Sequence, residues 1–288
     1  MTGTTEAALA APATAGDAKS RYFRRFTPVE RVLHALLMLS FVGLALTGLP
    51  LIFADRPWAA DLARAFGGID SAGRIHRICA FVMIVVFVTH VAMVVTRALT
   101  GGRLMAVLWG PDSMVPQPSD IVDIYRNFRW FLGLGPEPKF DRWTYWEKFD
   151  YWAVFWGMFI IGGSGLLLWF PVFFAHFLPG WMFNIAALVH GEEALLAVGF
   201  IFTFHFFNGH LRPRKFPMDT VVFTGRISEH ELKDERPLEY ERMAREGRLE
   251  QQRTTAPSEE AKWFGWVVGG VALVLGIVAI VLIISSVL

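Results

Sequence analysis

The chain has 288 residues, 54% of them hydrophobic, with 26 Phe and 11 Trp. That is too apolar for an ordinary soluble domain. The formal net charge of +1 gives no basic footprint, so nucleic acid is not an expected partner. A single cysteine, Cys79, excludes a disulfide framework, a cysteine-held zinc or iron–sulfur site, and the CxxCH motif of covalent haem.

Residues 1–20, MTGTTEAALAAPATAGDAKS, are small, polar and Ala-rich. They lack the charged start and apolar core of a secretory signal, and the reading is a disordered tail. A spanning helix needs ~20 mostly apolar residues. Five stretches qualify in chain order: Val32–Phe53, Ile78–Thr96, Tyr151–Phe170, Trp181–Phe207 and Trp263–Leu288. The expected organisation is a four-span membrane domain over 21–225, a charged helical linker over 226–262, and a C-terminal transmembrane helix over 263–288. The linker, with SEHELKDERPLEYERMAREGRLEQQ, reads as a solvated or surface-lying helix. In the fifth span, Gly269, Gly270 and Gly276 are positions where helices could approach closely.

Lys and Arg number five in residues 1–31, seven in 97–149 and eleven in 208–262, against four in 54–77 and none in 171–180. By the positive-inside rule the three rich segments share the cytoplasmic side. The N-terminus is then cytoplasmic and the C-terminus lies outside.

Six of the eight histidines fall in or at the edges of spans. Ionisable groups at membrane depth are costly and usually functional. In the second span His76 and His90 are fourteen residues apart, so they differ by ~40° around a helix and ~21 Å along it. In the fourth, His190 and His205 are fifteen apart, or ~60° and ~22 Å. Histidines on facing helices can supply axial imidazoles to opposite faces of a flat macrocycle. Two such levels point to two non-covalent haems b stacked across the bilayer. His76 and His190 form the outer level. His90 and His205 lie toward the inner one, where His34 of the first span competes with His90.

Here the chain resembles the cytochrome b (gamma) subunits of membrane formate dehydrogenases and nickel–iron hydrogenases. The stretches that carry the resemblance are RFTPVERVLHALLMLSFVGLALTGLPLIF, GRIHRICAF, KFDRWTYWEKFDYWAVFWG with GLLLWFP, and HGEEALLAVGFIFTFHFFNGHLRPRK. They cover roughly residues 20–225. The resemblance implies an all-α membrane bundle of four helices, to which the fifth is an addition. It implies an outer haem on His76 and His190 and an inner haem on His34 and His205. It also implies a quinone site beside the inner haem and a redox partner docked on the outer face of a bacterial inner membrane. His90 and the pair Glu192–Glu193 depart from the family pattern. The inner pair therefore stays open between His34–His205 and His90–His205, with a third haem on His34 and His210 a further option.

Supporting residues follow from the chemistry of haem and quinone. Arg74 and Arg77, flanking His76 on the side poor in basic residues, suit anionic propionates. Arg31, Arg212 and Arg214 at the inner edge suit either propionates or interfacial anchoring. His210 could donate to a quinone carbonyl or accept a quinol proton. Lys148 and Asp150, at the inner start of the third span, are further quinone-site candidates. Glu192 and Glu193 could support a histidine or open an outer proton path.

The function expected is a di-haem b subunit that passes electrons between the quinone pool and an outer iron–sulfur subunit or multihaem cytochrome c. The substrate chemistry would then reside on that partner. The rival is a stand-alone cytochrome b561-type transmembrane reductase, whose haems are held by His76, His90, His190 and His205.

Overall fold

The computed structural model describes residues 21–100 and 104–288. The tail expected over residues 1–20 lies outside them. Among the described residues, five helices are long and apolar enough to cross a membrane: Pro28–Ile52, Ile69–Leu99, Tyr145–Trp169, Trp181–Leu211 and Glu259–Val287. The chain is an all-α integral membrane protein, with one small sheet at its basic end.

Four of the helices begin several residues before the apolar stretches, three of them at polar caps and the second span at Gly68. Thr27 caps the first span: its Oγ1 accepts from Glu30 N, while the Glu30 carboxylate accepts from Thr27 N at 2.9 Å. Thr144 and Glu147 repeat this reciprocal box at the third span, and Ser258 caps the fifth. Each box satisfies backbone N–H groups that would otherwise be orphaned at a helix start.

The first and second spans pack along their length, and the fourth packs against the third. The fifth lies against the first and fourth. Its seam is made of small residues: Gly265 faces Phe223, Gly269 faces Met218 and His210, and Gly276 faces Phe202. A Cβ at any of the three would crowd its neighbour, whereas Gly270 faces open space. At the far end of this helix Arg56 Nη2 donates to the Ser286 carbonyl at 2.5 Å, and Trp58 Nε1 donates to Ser286 Oγ at 3.1 Å. A cation on the last carbonyls also complements the helix dipole.

The segment read as a helical linker is a folded unit. Strand β1, Tyr22–Arg24, lies between β2, Arg226–Ser228, and β3, Arg253–Thr254, in an antiparallel sheet. Three short helices, Glu229–Glu235, Pro237–Arg245 and Leu249–Gln252, separate β2 from β3. Phe23, Val221, Ile227 and Leu232 form its core, with Phe26, Tyr240 and Leu249 packed around them. Ion pairs fasten this unit to the spans. Arg25 bonds Glu239 at 2.5 Å, with side chains 5% and 3% exposed. Arg142 bonds the same carboxylate at 2.9 Å, Arg236 bonds Glu147 at 2.8 Å, and Arg212 bonds Glu235 at 2.8 Å. Burial pushes the Arg25 guanidinium down to about 10 even with Glu239 beside it.

Between the second and third spans, the helix Pro118–Phe131 is turned inside out. Its polar face is buried: Asp120 bonds Lys148 Nζ at 2.8 Å, and Asn127 Nδ2 donates to Tyr145 Oη at 2.7 Å. Its apolar stripe, Ile121, Tyr125, Phe128 and Leu132, is 62–71% exposed. A helix tied to the first turn of a span with such a stripe outward is suited to lie along a membrane interface.

Candidate histidine pairs in the bundle

The first pair joins the second and fourth spans. The rings of His76 and His190 have centroids 6.3 Å apart and an interplanar angle of 68°. A metal held between two imidazoles by bonds of ~2 Å, with ~1.1 Å from each nitrogen to its ring centre, needs centroids ~6 Å apart. The spacing therefore fits a shared metal.

The hydrogen bonds assign the tautomers. His190 Nδ1 lies 2.9 Å from the Ile161 carbonyl, which can only accept, so Nδ1 carries the proton. Ser164 Oγ is a second neighbour at 3.3 Å. His76 Nδ1 lies 3.0 Å from Thr47 Oγ1, whose own proton goes to the Gly43 carbonyl at 2.6 Å; Nδ1 is again the donor. Both Nε2 lone pairs are thereby free for iron, in the manner of metal-binding histidines fixed by an outer partner.

Local backbone makes this arrangement possible. Met158–Gly162 in the third span is a π turn, a widening often found at functional sites. The Ile161 carbonyl that receives His190 belongs to it. Glycines admit the rings: a Cβ on Gly48 would meet His76 Cε1 at 3.3 Å, and one on Gly165 would meet His190 Cε1 at 3.0 Å. These donor sets and cradles fit a bis-imidazole haem.

The second pair joins the first and fourth spans. His34 and His205 are close enough to interact electrostatically. His205 Nδ1 lies 3.0 Å from Asp150 Oδ2, an acceptor, so its Nε2 is also free. His205 ends a second π turn, Ile201–His205. His90 points elsewhere: its Nε2 is bonded to Tyr151 Oη at 3.0 Å, with ring centroids 5.5 Å apart. The nitrogen it would offer to a metal is thus engaged on the third span. The charged groups acting on His90 are Arg97 and Glu30, joined to each other at 3.3 Å. Of His34 and His90, it is His34 that lies within electrostatic range of His205, while His90 is engaged by Tyr151.

The remaining candidates divide. Asp150 is drawn to His205 and acts as the partner of its ring, a role that sequence reading assigned to quinone contact. Lys148 is buried and held by both oxygens of Asp120 at 2.8 and 2.9 Å. Its ammonium therefore locks the interfacial helix to the third span and is not offered to a ligand. His210 is buried with its ring 5.0 Å from Phe206 and turned toward Gly269 of the fifth span.

Among the arginines, Arg77 acts electrostatically on His76, while Arg74 is exposed and bonded to Ser71 Oγ at 2.8 Å. Arg212 and Arg214 are committed to Glu235 and Glu137. Neither glutamate after His190 supports it. Glu193 accepts from Trp156 Nε1 at 3.2 Å, and Glu192 is exposed. His190 is supported instead by Ser164 and the Ile161 carbonyl, and His76 by Thr47. The only trace of these in the sequence is small residues in apolar runs, LTG at 46–48 and GGSG at 162–165.

Residues 25–214 match the profile of the family described as prokaryotic cytochrome b561. No curated protein matches the chain.

Proposed function

The chain belongs to the prokaryotic cytochrome b561 family, membrane proteins that carry electrons on b-type haem, and from that premise we propose that it holds two haems and works as a quinone-linked electron-transfer subunit. In this reading His76 and His190 hold one haem, and His34 and His205 the other. Haem, when bound, supplies a one-electron couple that a hydrocarbon slab otherwise lacks. The chain's own residues orient the imidazoles. Thr47, the Ile161 carbonyl and Asp150 fix the rings with Nε2 inward. Gly48 and Gly165 give the rings room, and Arg77 places a positive charge near the level where propionates need one.

The observation that carries the reading is the His76–His190 pair, with both Nδ1–H groups directed to fixed acceptors, together with His205, whose Nδ1–H is directed to Asp150. The basic end of the bundle is taken as the cytoplasmic side of a bacterial inner membrane, by the distribution of Lys and Arg. Quinone exchange is assigned to the His34–His205 end. The redox partner, an iron–sulfur subunit or multihaem cytochrome c, is assigned to the opposite face. The substrate chemistry then belongs to that partner, as in the formate dehydrogenase and hydrogenase assemblies that the sequence resembles.

Reduction of the purified, haem-loaded chain tests this. Decylubiquinol or a reduced menaquinone analogue should bring up the b-type α-band of both haems. Reduction by ascorbate with no response to any quinol would favour the stand-alone reductase.

A second test reads Asp150. A carboxylate on Nδ1–H makes an imidazole a stronger donor to iron and favours the oxidised state. Asp150→Asn should keep haem stoichiometry and raise the midpoint potential of one haem only. An unchanged potential in a spectroelectrochemical titration would show that Asp150 does not act through the ring.

A further inference from the structure

Most cations at the basic end are matched to carboxylates, yet two arginines on one cavity are not. The cavity has a volume of about 320 Å³ and is lined by Arg31, Thr224, Arg226, Thr255, Pro257 and Ser258, among others. It lies between the first turns of the first and fifth spans. Arg31 Nε donates to the Phe223 carbonyl at 2.6 Å. Arg226 Nη1 donates to the Thr255 carbonyl at 3.1 Å, to Thr255 Oγ1 at 3.0 Å and to the Ala256 carbonyl at 2.7 Å. Each guanidinium is pinned on one edge by neutral oxygens. Among the described residues neither forms an ion pair, and the other donors of each have no protein partner.

The backbone is shaped for this. Gly225 has φ +72°, and a Cβ there would meet the Phe26 carbonyl at 2.7 Å and Arg31 Cδ at 2.8 Å. The glycine lets the Arg31 stem pass toward the cavity and away from the bundle interior. Thr224 Oγ1 lies 3.4 Å from Arg226 N and steadies the turn between the two arginines. The acidic groups adjoining the lining residues in sequence are Glu30, which caps the first span at Thr27 and pairs with Arg97 at 3.3 Å, and Glu259 and Glu260 in the first turn of the fifth span. Glu259 is turned to Lys262 at 2.7 Å.

We propose that this cavity is a phosphate-binding site at the membrane edge, its two arginines gripping the phosphate of an anionic phospholipid headgroup or free phosphate. Fixed guanidinium forks match phosphate oxygens bidentately. A basic recess between spans at the membrane surface is the setting in which anionic headgroups bind. The site is separate from the histidine pairs and does not depend on the electron-transfer reading.

The test uses the full, haem-loaded chain in detergent. Native mass spectrometry would count retained dioleoylphosphatidylglycerol against dioleoylphosphatidylcholine, for the wild type and for Arg31→Gln with Arg226→Gln. Titration with inorganic phosphate, read by melting temperature, forms the second arm. Retention of phosphatidylglycerol that falls at least tenfold in the double variant supports the site with lipid as its source. Stabilisation by millimolar phosphate that vanishes in the double variant supports it with a soluble source. Equal binding by wild type and variant, or no preference for either anion, overturns it. Loss of one haem from Arg31→Gln alone would assign that arginine to a propionate and also overturn it. Arg31→Lys with Arg226→Lys keeps charge but loses the fork, and should bind between the two extremes.

Discussion

On the proposed ligation, His34→Ala should cost one of two haems b per purified chain, while His90→Ala should keep both. The histidines are almost equally placed in sequence, at a similar depth near the basic end. The structure separates them by what their rings meet. His34 lies within electrostatic range of His205, whose Nδ1 is fixed by Asp150 at 3.0 Å. His90 Nε2 is bonded to Tyr151 at 3.0 Å. In the proposed arrangement, removing His34 deletes an axial ligand outright. Removing His90 deletes a hydrogen bond between the second and third spans, worth ~1 kcal/mol. Pyridine haemochrome content per chain reads the result. Loss of a haem from His90→Ala with retention in His34→Ala would transfer the ligand role and revive paired ligation by the second and fourth spans.

Glu239→Ala should destabilise the basic-end unit by ~3–5 kcal/mol, the usual cost of stranding a buried charge. Arg25 and Arg142 share this carboxylate, and the Arg25–Glu239 pair is nearly water-free. With Glu239 gone, a desolvated guanidinium loses its directly bonded countercharge, and Glu147, already bonded to Arg236, is the carboxylate left acting on it. The effect should show as rapid proteolysis within 226–254 and a lower melting temperature. Haem content should hold, since the histidines sit in the spans. Arg25→Met with Glu239→Leu should recover most of the loss, because a hydrophobic pair of similar volume fits the same space. Full stability in Glu239→Ala would show that water reaches Arg25 and that the unit is not anchored there.

Much of the bundle was legible because lipid enforces a simple rule. A span must satisfy its backbone internally, so length and apolarity alone locate it. The five spans were read that way, and their starts were off by several residues at four of the five only because Thr27, Thr144, Gly68 and Ser258 begin helices in polar sequence. The basic-end unit was not legible. Its central strand, β1, comes from residues 22–24 and pairs with strands two hundred residues away. Its few apolar residues are diluted by charges whose partners are equally remote.

The sequence by itself determined the spans, the concentration of Lys and Arg at one end of the bundle, and the set of histidines at membrane depth. Those depend on composition and local spacing. It paired His76 with His190 but could not decide which histidine joins His205. Helical arithmetic assumes ~100° per residue throughout, whereas a π turn adds a residue to its turn and rotates all that follows. Two histidines of the fourth span are positioned by such turns: His190 by Met158–Gly162 across the interface, and His205 by Ile201–His205 within its own helix. Side-chain hydrogen bonds then choose the nitrogen each ring presents. Asp150 goes to His205 and Tyr151, its neighbour in sequence, to His90, because adjacent residues on a helix point ~100° apart. Only the packed tertiary structure says which ring each one meets.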